Sequence, residues 1–536
     1  MKLSYTSLQD RAAWEQAGVR LPEYNVPAMV HKTRQAPIWV HFGSGNIFRI
    51  FIAQLQQQLL NAGLSDRGIV AAETFDFDII DRIYAPYDNL TLNVTLNPDA
   101  TVSCEVMAAV AQSLKADMHD AEQSARLREI FEAPSLQLAS FTITEKGYVL
   151  RKPDGSLLPQ VEADLRNGPA GCGHAMSVLT ALLLRRFQAG GAPIAVVSMD
   201  NCAHNGEKLQ GSVLEIAEGW LAAGFVPEDF LCYLRDPARV SFPWSMIDKI
   251  TPRPSEAVER QLRARGIEAM TPIVTSRNTF IAPFVNAERA QYLVVEDSFP
   301  NGRPPLEKAG VFFGTRQTVD RAETMKVTTC LNPLHTAMPV YGCMLGYTRI
   351  CDEMKDPDIV RLIRTLGYQE GLPVVTDPGI LSPKAFIDEV VNERLANPFL
   401  PDTPQRIVTD TSQKVAIRFG ETLKKYLAAG MPLKQLKAIP LALAGWLRYL
   451  LAVDDRLAPM EVSSDPLREE LQALLAGIQP GKPACCHEKL SRILSNEAIF
   501  GLDLVKAGLL ERIEEMFCAE LEGPGAVRAA LQRFLA

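Results

Sequence analysis

The stretch IWVHFGSGNIFRIFIAQLQQQLLNAG, Ile38 to Gly63, decides how the first half of this chain folds. Ile38 to Gly43, IWVHFG, is short, largely apolar and rich in β-branched and aromatic residues, which predicts a strand covered on both faces. Beyond the glycines, Ile47, Ile50, Phe51, Leu55 and Leu59 recur at helical spacing, and Gly63 supplies a C-terminal stop. A strand, a Gly43-Ser44-Gly45 turn and a helix in succession form the setting in which a glycine motif cradles phosphate. Gly43 permits the tight turn, Gly45 admits close backbone approach, and the helix N-terminus offers free N–H groups and the positive end of a dipole. The third glycine of the dinucleotide fingerprint is absent, with Phe48 in its place. The motif therefore also reads as a plain tight turn.

Three more strands of the same kind follow: GIVAAETF (Gly68 to Phe75), LASFTIT (Leu138 to Thr144) and IAVVSMD (Ile194 to Asp200), with helical patterns between them. That βα order predicts an α/β fold with a mainly parallel sheet. Glu73 ends the second of these strands, with Asp76 and Asp78 just beyond. An acidic group there accepts hydrogen bonds from the adenosine ribose hydroxyls and repels a 2′-phosphate, which predicts NAD rather than NADP; the same acids also read as caps of the next helix. From Thr315 long helical patterns dominate, among them DPDIVRLIRTLGYQEG and DTSQKVAIRFGETLKKYLAAG. The expected domains are thus an α/β unit over 1–314 and a mostly α-helical unit over 315–536.

The 536 residues fit two large domains, or three to four at about 150 residues each. Lys and Arg number 55 against 63 Asp and Glu, so 55 − 63 = −8, a balance that argues against a nucleic-acid partner. The longest apolar stretch, IPLALAGWLRYLLAV from Ile439, is interrupted by Arg448 and is too short to span a bilayer; it predicts a buried helix and no membrane association. Met1 to Gly18 carries Asp10, Arg11 and Glu15 and lacks the apolar run of a secretory leader. The ten cysteines are scattered, which predicts reduced thiols and a cytoplasmic protein. Cys485-Cys486-His487 and Cys172-Gly173-His174 are the only metal-like clusters, and neither has zinc spacing or a matched second pair, so no metal is expected.

Glu323-Thr-Met-Lys326-Val-Thr-Thr-Cys-Leu-Asn332-Pro333-Leu-His335 concentrates polar groups suited to chemistry. Pro333 suits a first helical position and Asn332 an N-cap, so a helix is expected to start there. A lysine, a histidine and an amide beside a nucleotide suit metal-free hydride chemistry on an alcohol. One base removes the hydroxyl proton while donors hold the developing alkoxide.

Six motifs then occur in a family order: HFGSGNIFR (from His41), TITEKGY (from Thr142), SMDNCAHNG (from Ser198), FPWSMIDKITP (from Phe242), VEDSFPNGRPPLEKAGVFF (from Val295) and MKVTTCLNPLH (from Met325). Together they resemble the polyol-specific long-chain dehydrogenases/reductases, the mannitol dehydrogenase family, over roughly residues 35 to 455. The resemblance implies a Rossmann-type N-terminal domain, a helical C-terminal domain, NAD(P), and catalysis by lysine without metal. It implies Lys326 as general base, Asn201 and Asn332 as holders of the alkoxide oxygen, His335 as a ligand of a substrate hydroxyl, and Glu323 as proton relay. Asp248, Arg406 and Lys414 would face the substrate. Gly43, Gly45, Asn46, Phe48, Arg49 and Glu73 would hold the cofactor, and Lys146 would lie beside the nicotinamide. The motif wording leans to members acting on sugar acids, implying interconversion of D-mannonate and D-fructuronate with NAD(H), with tagaturonate reduction or mannitol oxidation as alternatives and an NAD-binding protein without catalysis as a further reading. One departure stands out. Five residues, Val327 to Leu331, separate Lys326 from Asn332 where the family has four. On a continuous helix the extra residue rotates everything after it by about 100°, so a bulge or a helix break must absorb it if both groups are to serve one site.

Overall fold

The computed structural model describes residues 1–536 except Ala100, Pro483, Ala484 and Cys485. The chain divides into two compact units, one of Met1–Asn97 with Thr101–Asp320 and one of Arg321–Ala536.

In the first unit six strands form the main sheet: β1 (Trp39–Phe42), β2 (Ile69–Glu73), β3 (Val110–Lys115), β4 (Leu138–Phe141), β5 (Ile194–Ser198) and β6 (Val240–Ser241). Their order across the sheet is β3-β2-β1-β4-β5-β6, and every neighbouring pair is parallel. This is the doubly wound dinucleotide-binding order, in which the chain reverses direction across the sheet beside β1. Strand alternation sorts the side chains onto two cores. Val40, Phe42, Val70, Ala72, Ala139 and Phe141 pack under Ala121–Glu132, α2 (Ala175–Gln188) and α3 (Asn205–Ala222). Trp39, Ile69, Ala71, Leu138, Ala195 and Val197 pack under the helix that follows β1, which closes as α1 (Ala53–Asn61). Burial on both faces is why these strands read as continuous apolar runs.

Two of the sheet's strands escape the apolar pattern. β3, VAQSLK, is an edge strand with Gln112 and Ser113 half-buried, and β6 contributes only two residues. The unit also holds a four-stranded sheet of Val19–Arg20, Val102–Met107, Thr91–Leu96 and Phe284–Glu288. A three-stranded sheet combines β7 (Ser245–Asp248), β8 (Tyr292–Glu296) and β9 (Phe312–Gly314).

The boundary between the units falls within α4 (Arg316–Met325). The second unit is helical, including α5 (Leu334–Met344), α6 (Ala438–Tyr449) and α7 (Leu510–Glu520). All twelve residues of α6 are buried, as its apolar sequence predicts. The N-terminus of α6 is capped from a distance, because the Glu370 carboxylate accepts from the N–H groups of Lys437, Ala438 and Ile439 at 2.5–2.8 Å. Arg448 is fully buried in the same helix and donates to the carbonyls of Glu520, Val453 and Asp454. Among the described residues no helix is long and apolar enough to cross a membrane.

Candidate active site

The glycine turn is held from beneath by an ordered chain of polar groups. Trp39 Nε1–H donates to Ser140 Oγ at 2.7 Å, and His41 Nδ1 meets the same hydroxyl at 2.7 Å. His41 Nε2 meets Thr142 Oγ1 at 2.8 Å, and Thr142 Oγ1 donates to the Gly43 carbonyl at 3.3 Å. Burial presses the His41 pKa down to about 3, so the ring is neutral, and the directions of the chain assign its proton to Nε2. Gly43 has φ +96°, and a Cβ there would overlap the Thr142 carbonyl. Only glycine fits.

Gly45 differs. A Cβ built on it meets nothing within 4 Å, so the face above the turn is open. Around this turn Ser44 Oγ, Asn46 Oδ1 and both Arg49 Nη atoms are buried without a hydrogen-bond partner. An open glycine face with orphaned polar groups at a helix N-terminus fits the pyrophosphate of a dinucleotide. Arg49 itself lies in the interior, its Nε donating to Thr91 Oγ1 at 3.1 Å, and burial lowers its pKa to about 10.

Two cofactor expectations need correction. Phe48 is fully buried and stacks on His41 at 4.3 Å between centroids, so its ring belongs to the core and not to the open face. This stacked pair occupies the place where a third glycine would let helix and strand approach, and a π-helical turn, Phe48–Ile52, begins there. Glu73 is also buried. Its Oε2 accepts from Ser44 N–H at 2.8 Å and its Oε1 from the N–H groups of Thr74, Phe75 and Asp76 at 3.0–3.2 Å. Four donors fill the lone-pair sites of the carboxylate, so Glu73 clamps the glycine turn to the end of β2 rather than facing a ribose. Asp76 accepts from Thr275 Oγ1 at 2.6 Å, and Asp78 from Ser276 N–H at 2.8 Å.

At the ends of β4 and β5 the organiser is Asp200, whose role the sequence does not signal beside its neighbour Asn201. Its carboxylate accepts from Ile143 N–H (2.9 Å), Thr144 N–H (2.8 Å) and Tyr148 O–H (2.6 Å). Thr144 is held at φ +66°, a conformation uncommon for a branched residue. The turn so fixed presents Lys146 at the surface on Glu145–Tyr148. Burial raises the Asp200 pKa above the usual carboxyl range, against the lowering effect of these hydrogen bonds. Asn201 is exposed on the following turn, and Asn205 fastens that turn to β7 through both faces of its amide, bonding the Asp200 carbonyl and Ser245. Asp248 is buried at the end of β7, opposite Tyr292 of β8.

In the second unit the extra residue has a visible home. Lys326–Cys330 is a π-helical turn directly after α4, and the Lys326 carbonyl accepts from both Leu331 N–H (3.1 Å) and Asn332 N–H (3.2 Å). A π turn accommodates one extra residue, and here it is followed by a break at Leu331, so the rotation a continuous regular helix would impose on Asn332 does not apply. Lys326 is 4% exposed and Glu323 is half-buried on α4. The predicted N-cap is not made. Pro333 already has helical dihedrals, α5 starts at Leu334 without a side-chain cap, and the Asn332 carbonyl instead accepts from Thr336 Oγ1 at 2.8 Å. Leu331 leaves helical dihedrals at φ −128°, ψ −64°, so the helix is interrupted between the π turn and α5.

His335 is half-buried with Nε2 4.0 Å from the Asp402 carboxylate. Burial lowers its pKa to about 4; Asp402 opposes the shift, and the guanidinium groups of Arg418, Arg394 and Arg406 add to it. Arg406 is exposed and ion-paired with Asp402. Lys414 folds back on its own segment, its ammonium donating to the carbonyls of Ile407 and Thr409, which leaves at most one N–H for a substrate. Asp402 and Arg418 carried no signal in the sequence, since each reads as an ordinary surface charge.

The described residues of the two cysteine–histidine clusters make the following contacts. Cys172 Sγ contacts the carbonyls of Gly168 and Pro169, and His174 Nδ1 accepts from Met176 N–H to cap α2. His487 meets Glu514 at 2.7 Å, while Cys485 lies outside the described residues.

Residues 37–308 match the family described as mannitol dehydrogenase Rossmann domain, and residues 318–519 match the mannitol dehydrogenase C-terminal domain. A Thermotoga maritima protein named D-mannonate oxidoreductase is 51% identical over 535 residues, covering 99% of this chain and 98% of its own. A Pseudomonas fluorescens mannitol 2-dehydrogenase, solved with NAD and D-mannitol, superposes with a TM-score of 0.68 at 26% identity over 100% of this chain and 99% of its own. A substrate-free D-sorbitol dehydrogenase shares the fold, with a TM-score of 0.79 at 24% identity, covering 99% of this chain and 100% of its own. The chain belongs to the mannitol dehydrogenase family.

Proposed function

We propose that this protein interconverts D-mannonate and D-fructuronate with NAD(H), by hydride transfer that uses a lysine base and no metal. The observation that carries the reading is the 51% identity, end to end, with the D-mannonate oxidoreductase of Thermotoga maritima. The glycine turn supports a dinucleotide, and the guanidinium groups around His335 suit a substrate bearing a carboxylate. NAD, when bound, accepts the hydride from the carbinol carbon.

In the oxidative direction Lys326 Nζ takes the hydroxyl proton as the C–H hydride departs, leaving a ketone. The role requires a neutral amine at a side chain that is 4% exposed. Asn201 and Asn332 hold the oxygen as its charge develops, and Glu323, three residues before the lysine, passes the proton outward. His335, neutral at pH 7, holds a neighbouring hydroxyl. Asp248 and Arg406 position the substrate. Scattered thiols and a small sugar-acid substrate fit a cytoplasmic setting.

The test is NADH oxidation measured in parallel with fructuronate, tagaturonate and fructose. Fructuronate is expected to be the best substrate, and activity on fructose alone would overturn the reading. Lys326→Ala should lower kcat by about 10² to 10⁴ while NADH still binds; near-normal turnover would remove the lysine from its role.

A further inference from the structure

We propose that Arg418 receives the substrate carboxylate and thereby sets the preference for a sugar acid over a neutral polyol, an inference that rests on the oxidoreductase reading above. Arg418 lies half-buried on the π-helical turn Ala416–Gly420, which packs against the turn that begins with Lys326. Among the described residues its guanidinium makes one hydrogen bond, from Nη1 to Thr336 Oγ1 at 2.6 Å. Thr336 in turn donates to the Asn332 carbonyl at 2.8 Å, so the guanidinium is fixed to the segment that carries Asn332 and His335.

Arg49 also has unpartnered Nη atoms, but it lies at the glycine turn of the first unit, while other arginines drawn into the protein are satisfied. Arg186 donates to five carbonyls, Arg448 to three, and Arg528 is paired with Asp356 and Asp358. Among the described residues no carboxylate lies within ion-pairing distance of Arg418. A guanidinium removed from water without a counter-ion is costly, and its planar fork of donors matches a carboxylate. Burial lowers the Arg418 pKa to about 10, with no acidic neighbour offsetting the shift, yet the group remains a cation at pH 7. The polar floor that holds it, Thr336 and Asn332, keeps the fork in place before a ligand arrives.

The experiment compares kcat/KM for fructuronate and fructose, with NADH, in the wild type, Arg418→Met and Arg418→Lys. The wild type should prefer fructuronate. Arg418→Met should cut kcat/KM for fructuronate by about 100-fold, mostly through KM, and leave that for fructose within about threefold. Arg418→Lys keeps the charge without the fork and should lower the fructuronate-to-fructose ratio by about tenfold. Equal losses on both substrates would show that Arg418 only supports the fold, and an unchanged ratio in either variant overturns the proposal. If Arg418→Met does not fold, the ratio in Arg418→Lys decides. A wild-type preference for fructose would overturn the substrate reading itself, and the role of Arg418 with it.

Discussion

Replacing Asp200 by alanine isolates the part of the first unit that fixes the turn beside the expected nicotinamide site. The carboxylate accepts three hydrogen bonds at 2.6–2.9 Å from groups 52 to 57 residues away in sequence. Hydrogen bonds to a charged group contribute about 1.5–3 kcal/mol each. Thr144 is exposed, so water replaces part of what its N–H loses, and relief of a buried charge, the cause of the raised Asp200 pKa, offsets more. The net loss should be about 2–4 kcal/mol. At about 2–4 °C per kcal/mol for a large domain, Tm falls by about 4–16 °C. Released from Asp200, Thr144 should leave its positive φ, and Lys146 should move with it. The expected signature is a fall in kcat/KM of about tenfold or more, with NADH affinity little changed because the glycine turn is intact. Tyr148→Phe removes one of the three donors and should cost less. Combined with Asp200→Ala it should add little, since the shared bond is already gone. Unaltered Tm and kcat/KM in Asp200→Ala would refute the claim that this carboxylate organises the turn.

The two glycines of the turn should separate fold from binding. Gly43→Ala meets the Thr142 carbonyl at a positive φ and should cost about 3 kcal/mol or more, seen as a lowered Tm or loss of soluble protein; a stable variant would contradict the geometry. Gly45→Ala meets open space, so Tm should hold while the NADH Kd rises by about tenfold in a fluorescence titration, and an unchanged Kd would place the pyrophosphate elsewhere. In the second unit, Glu520 is fully buried and its pKa is pushed up to about 8 from an ordinary 4.5. Between those values the folded protein holds a proton the unfolded chain has released. This contribution to stability is therefore complete below about pH 4.5 and declines as pH rises to about 8, by at most about 1.4 kcal/mol per pH unit. Glu520→Gln removes the titration, so Tm of the variant relative to wild type should climb from pH 5 to pH 8; a flat difference would mean Glu520 is ionised in the fold.

What the sequence discloses and what it conceals follow from the range of the forces involved. β1, its turn and the helix after it are legible because each depends on neighbours within a few residues: an apolar run, two glycines, a 3.6-residue period. β3 is not, because an edge strand needs an apolar side chain only at alternate positions, and VAQSLK does not resemble the runs of the central strands. Glu73 shows the same limit at a single residue. An acid at a strand end looks like a ribose ligand, but Oε1 is taken by the N–H groups of Thr74, Phe75 and Asp76, and Oε2 by that of Ser44, 29 residues away. The spacing from Lys326 to Asn332 is the instructive case between these extremes. One residue too many for the family pattern signals that the helix must bulge, and the structure shows a π turn spanning Lys326–Cys330. Sequence supplies the count, but only the fold shows that Arg418 comes to rest against Thr336, 82 residues earlier, and so reaches the segment that carries His335. A charge such as Arg418 looks solvent-facing in its own helix. Its meaning depends on the carboxylates that do not come near it, and that is a property of the folded chain alone.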